Sequence, residues 1–169
     1  MIEHEFKKNY LAMIENSAKG ENWMFKNFYI KIDGVERDAL EDGGISCAVL
    51  VSSVLYLHNQ LLEFLGKSKW IAFTHANVLS TTKDMLACGW YEIADLRPGA
   101  VVVWEPRIGR DDGLMHGHNG FCLSETEAIS NDSKGTRFPR RHSIDKPSSV
   151  DQDPRKIDKI LWHPELDNG

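Results

Sequence analysis

The sequence predicts an α+β domain spanning residues 1–169, with helices in the first half and a mainly antiparallel sheet in the second. Three observations carry this. Apolar residues recur at helical spacing early in the chain, and short β-branched or aromatic runs bounded by turn residues dominate later. Between them, Ala48 to Leu57 is almost wholly apolar or small, which predicts a helix buried on most of its circumference. At 169 residues and 41% hydrophobic content the chain has enough apolar material for its own core, and no repeat, low-complexity segment or linker interrupts it.

Taken in order, Glu3 to Ala18 reads as the first helix, because Phe6, Tyr10, Met13 and Ile14 fall near 3.6-residue spacing. Lys19-Gly20-Glu21-Asn22 ends it. Phe25 to Ile32 reads as extended and turns at Asp33-Gly34, and the acidic stretch Val35 to Asp42 leads into Gly43-Gly44. The buried helix is expected from about Cys47 to Leu65, closed by Gly66. Thr74 to Leu86 reads as another helix, with Thr74 as its N-cap and Gly89 beyond its end. Leu96-Arg97-Pro98-Gly99 forms a turn into a buried strand, Ala100 to Trp104, that Pro106 closes. The Gly- and charge-rich loop Arg107 to Gly113 is expected to be mobile. His116 to Leu123 and Glu127 to Asn131 read as successive strands, and Ser133 to Val150 as a strand mixed with loop. Lys156 to His163 reads as a final edge strand.

Charge and cysteine usage exclude several function classes. Twenty Lys and Arg against 25 Asp and Glu give a net charge of -5, which offers no general attraction to nucleic acid or to an anionic membrane. Three cysteines, none in a Cys-x-x-Cys pair, predict no disulfide framework and a reducing compartment. The first eight residues hold no apolar signal region, and no run reads as a membrane span. Cytoplasmic residence, or export by a route without a cleaved signal, is therefore expected. No cofactor is expected.

Cys47 is the focus of the chemistry. It stands just after two glycines, at the first turn of the buried helix, where unpaired N–H groups and the positive end of the helix dipole favour a thiolate. The competing reading of a cysteine there is a small buried hydrophobe. Covalent catalysis by a thiol also needs an imidazole to move the proton and a polar group to orient the ring. His118 opens a predicted strand and is followed by Gly120, which leaves room near the ring. Thirteen positions on, Asn131 ends the next strand and offers a carbonyl to a ring N–H, with Asp132 as its rival and Ser130 behind both. His116 and His118 share a strand face, so with Asp111 or Asp112 they are the candidate ligands of an alternative metal site, although no third ligand sits at a persuasive spacing. Otherwise His116 is a substrate contact or a loop residue, and Trp104, at a strand end, is placed near the cleft. Cys88 and Cys122 read as core. The run Arg137 to His142 reads as a solvated basic loop.

The segments Ser46-Cys47-Ala48, Leu96 to Trp104 and His118-Asn119-Gly120-Phe121 resemble the cysteine helix and the two following strands of papain-like peptidases, above all the NlpC-type and CHAP-type enzymes. The resemblance covers roughly residues 43–131 in order and spacing. It implies a papain-like fold and a thiol hydrolase that cleaves amide bonds through Cys47, His118 and Asn131. The implied substrate is peptide-like or derived from peptidoglycan. The chain departs from that pattern in four places: Ser46 stands where those enzymes have Asp, Ala48-Val49 where they have Ser-Gly, Ala100 where they have the acid of Pro-Gly-Asp, and the tyrosine they place upstream of the cysteine has no clear counterpart, although Tyr29 is available.

Overall fold

A computed structural model describes residues 4–108, 113–150 and 152–167. The first helix, α1 (Phe6–Ser17), buries Phe6, Tyr10 and Ile14 on one stripe, as their spacing dictates. A hairpin follows, β1 (Tyr29–Ile32) paired antiparallel with β2 (Val35–Asp38). Its two-residue turn has Asp33 and Gly34 both at positive φ, 51° and 81°, the conformation that matches strand twist in a tight hairpin. The acidic stretch after Gly34 is thus a strand: the turn chemistry of Asp-Gly outweighs the absence of apolar alternation in Val35–Asp38.

The central helix α2 (Cys47–Phe64) carries the largest share of buried helical residues, among them Val49, Leu50, Val51, Val54, Leu55 and Leu62. By length and composition it is apolar enough to cross a membrane, but just over half of it is buried inside the protein. Phe6 and Tyr10 of α1 meet His58 of α2 and Trp70 at ring distances of 4.8–5.5 Å. The Tyr10 hydroxyl donates to Gly99 O at 2.9 Å, tying α1 to the turn that opens the main sheet. The next helix, α3 (Val78–Ala87), starts four residues later than Thr74. Its N-cap is Asn77, whose side chain accepts from the Ser80 N–H at 3.1 Å.

Among the described residues the main sheet has six strands: β3 (Tyr91–Glu92), β4 (Val101–Ile108), β5 (Met115–Cys122), β6 (Glu127–Asn131), β7 (Pro139–Ser143) and β8 (Ile157–Trp162). Their order is β3-β8-β4-β5-β6-β7 and every pairing is antiparallel. The protein is therefore a mixed α+β structure with an antiparallel sheet and a few helices. Two expectations need correction. Pro106 does not end β4: the strand continues to Ile108 past an irregularity between Trp104 and Arg107, where a residue without an N–H is tolerated. The last strand is not at an edge either, because β8 lies between β3 and β4. Of the loop expected to be mobile, residues 109–112 lie outside the described residues.

Candidate active site

The first turn of α2 reaches the sheet beside β5. Gly43, at φ 85°, packs so tightly on Arg137 that a Cβ would overlap the Arg137 carbonyl, and the chain turns there into the helix. Ser46 occupies the cap position, but its hydroxyl donates to Gly43 O at 3.2 Å and caps no N–H of the helix. The first-turn N–H groups are left to other partners. Cys47 follows, 6% exposed. Burial pushes its thiol above the ordinary value. The main-chain N–H groups of Asn119 and Ala48, the Arg155 guanidinium and its own N–H pull the other way without overcoming burial. The expectation of a resting thiolate is thus corrected: desolvation outweighs the helix terminus, and the resting group is a thiol.

His118 lies on β5, cross-strand from Trp104 of β4, and is 6% exposed. Its Nε2 meets Ser130 Oγ at 2.8 Å. Ser130 Oγ in turn meets His142 Nε2 at 2.7 Å, and His142 Nδ1 lies 2.8 Å from Ser143 O. The Trp104 indole covers both rings, 5.3 Å from His118 and 5.8 Å from His142, and donates to Ile144 O at 2.8 Å. Burial holds the His118 imidazole well below its ordinary pKa, Arg155 and His142 add to this, and Asp132 opposes it. At neutral pH the ring is uncharged.

Gly120 makes this arrangement possible. A Cβ there would overlap Ile129 O and stand 2.7 Å from Ser130 Cβ, so its bareness lets β6 bring Ser130 up to His118.

Asn131, expected beside His118, is not there. Its Nδ2 donates to Gly43 O at 2.9 Å and to Ser133 Oγ at 3.3 Å, so it anchors the approach to α2. The reason is strand alternation: Ser130 and Asn131 point to opposite faces, and Ser130 has the face of His118. Asp132 is spent elsewhere. Oδ1 accepts from Ser148 Oγ and the Ser149 N–H, and Oδ2 from the Thr136 N–H, with Arg140 Nε 3.1 Å away.

Cys47 and His118 open onto one cavity of about 770 Å³, which Trp104 and His116 also line. The thiol and the imidazole share this space; among the described residues no hydrogen bond joins them. Trp104 is fully buried, a wall of the site more than an exposed contact. His116 is half-buried, and its carbonyl accepts from Arg155 Nη2 at 2.7 Å. Arg155 Nε also donates to Glu105 O at 2.7 Å, which holds the guanidinium where its charge acts on both Cys47 and His118. Sequence reasoning missed Arg155 and the role of His142, since no local pattern marks either. For the metal alternative, Asp111 and Asp112 lie outside the described residues. Among the described residues no three His, Cys, Asp or Glu side chains gather as a metal site. Cys122 is buried and Cys88 half-buried, its thiol 3.6 Å from Asp84 Oδ1.

Comparison with models of known protein families, with curated proteins and with solved structures gives no match.

Proposed function

We propose that the protein is a papain-like thiol hydrolase that cleaves an amide bond, with Cys47 as nucleophile and His118 as base. The observation that carries the reading is the shared cavity: thiol and imidazole both line it, and Ser130 already occupies Nε2 of the ring. Nδ1 is then the nitrogen left to meet the thiol. The papain-like assignment draws on a cysteine at the start of a buried helix, a histidine on the adjoining antiparallel strand and an orienting hydroxyl on the next.

In this mechanism both partners start neutral. Sγ attacks the amide carbon while His118 Nδ1 takes the thiol proton, so the Sγ–C bond forms without a standing thiolate. The oxyanion is received by N–H groups at the start of α2 that Ser46 does not cap. The imidazolium passes its proton to the leaving nitrogen as the C–N bond breaks, and the amine departs. Water attacks the thioester, giving its proton to His118, and the thiol recovers that proton as the acid leaves. Of the cations in the described lining, Arg107 is paired with Glu105 and Lys159 with Glu92. The substrate class, a peptide-like amide such as a cell-wall stem peptide, therefore rests on the resemblance and not on the charge of the cavity.

A binding module of the same shape without chemistry is the rival, and the raised thiol favours it. A peptide carrying an electrophilic ketone in place of the scissile amide separates the two. Mass mapping is expected to find the adduct on Cys47, lost in Cys47→Ala and in His118→Ala with circular dichroism unchanged. Equal labelling of Cys47 with and without His118 would reject the hydrolase reading.

A further inference from the structure

With His142 neutral, one peptide carbonyl fixes three protons in the buried chain His118–Ser130–His142; a doubly protonated His142 would donate from both nitrogens and reverse the order. Ser143 O only accepts, so the 2.8 Å contact places a proton on His142 Nδ1. Nε2 of a neutral His142 is then an acceptor, and at 2.7 Å it takes the Ser130 hydroxyl proton. The other acceptor within reach of that hydroxyl, Pro147 O, is 3.4 Å away and competes poorly. With its proton committed, Ser130 Oγ accepts from His118, whose Nε2 therefore carries a hydrogen. The lone pair of His118 is left at Nδ1.

We propose that His142 is a positioning residue that acts through Ser130 to set the His118 tautomer, so that the base stands on the cavity side of the ring. The surroundings keep the chain intact. His118 is 6% and His142 7% exposed, and Trp104 lies against both rings. Among the described residues, charges facing this pair include Arg155 from the segment before β8 and Asp132 from the end of β6, with Arg140 and Arg141 on β7. The Trp104 N–H goes to Ile144 O, so it does not compete for the hydroxyl. The catalytic consequence rests on the hydrolase reading; the proton arrangement does not.

Long-range proton–nitrogen spectra of the full chain with labelled histidine read the tautomers directly. The expected result is a pair of opposite forms: His142 with its proton on Nδ1, His118 with its proton on Nε2. His118 protonated on Nδ1, or His142 on Nε2, would overturn the proposal. In His142→Phe the hydroxyl loses its acceptor, so the His118 Nε2–H signal is expected to lose its protection and Cys47 labelling to slow roughly ten-fold. His142→Gln places a carbonyl within reach of the same hydroxyl and is expected to keep both. Unchanged spectra and labelling in His142→Phe, or loss of both in a folded His142→Gln, would also overturn it. If His142→Phe does not fold, His142→Gln and the native tautomers decide alone. A native protein that is never labelled at Cys47 but shows the opposite tautomers would remove the hydrolase reading and leave the proton arrangement standing.

Discussion

Cys47 and His118 illustrate how burial sets the terms of a thiol site. A helix terminus offers a thiolate at most about 2 kcal/mol, which lowers its pKa by about one and a half. Removing the sulfur from water works against the charged form and prevails here. The same burial keeps His118 neutral, and a neutral imidazole is the form that can take a proton. Asn131 has a different task. Asn131→Ala is expected to cost about 1–3 kcal/mol in urea unfolding, because Gly43 O loses a buried donor and a small void opens. Labelling of Cys47 should persist in that variant. A variant of native stability with labelling abolished would return Asn131 to the site. Strand parity shows why the sequence pointed to Asn131 and the structure to Ser130. Once Phe121 pairs with Ile129 and Cys122 with Ala128, even-numbered residues of β5 and β6 share a face. The residue types near His118 were legible; the register that chooses among 130, 131 and 132 depends on the turn between the strands.

At the level of elements, patterns that depend on side-chain period alone were readable. The α1 stripe and the burial of α2 follow from their apolar spacing, and β6 runs over Glu127–Asn131 as its composition suggests. What escaped depended on contacts between distant segments. The start of α3 is set by Asn77, because Thr74 to Ala76 belong to a loop held elsewhere: the His75 N–H donates to Ser52 Oγ of α2 at 2.8 Å, and His75 Nε2 meets Asp84 at 2.7 Å. Asp84 also accepts from the Ala72 and Phe73 N–H groups, so α3 and the loop before it form one unit. The position of β8 beside β4 pairs residues some sixty positions apart, and no local signal encodes that neighbour. His142 sat in a run that read as solvated basic loop. Strand β7 alternates His142 inward and Arg141 outward, and that alternation was hidden among the arginines.

For the whole molecule, buried histidines make stability depend on pH in a defined direction. His58, 2% exposed among Phe6, Tyr10 and Trp70, has its pKa pushed down to about 4 by burial. The unfolded chain binds its proton near pH 6.5, so between those values the unfolded state holds more protons and stability is lost as pH falls. The loss is on the order of 3 kcal/mol across that window. Asp38, lowered to about 2, acts only further down, between its ordinary value and that one. His58→Leu should melt with a shallower slope between pH 6.5 and 4, and it also removes an unpartnered buried Nε2. An unchanged slope would place the acid sensitivity elsewhere. The account as a whole depends on cooperation between a buried thiol and a neutral imidazole across one cavity. Its most direct test is the rate of Cys47 alkylation by iodoacetamide against pH, in the native chain and in His118→Ala. The account predicts that His118→Ala is about ten-fold or more slower at pH 7 and speeds up only where the buried thiol ionises by itself. Superimposable curves for the two proteins would contradict it.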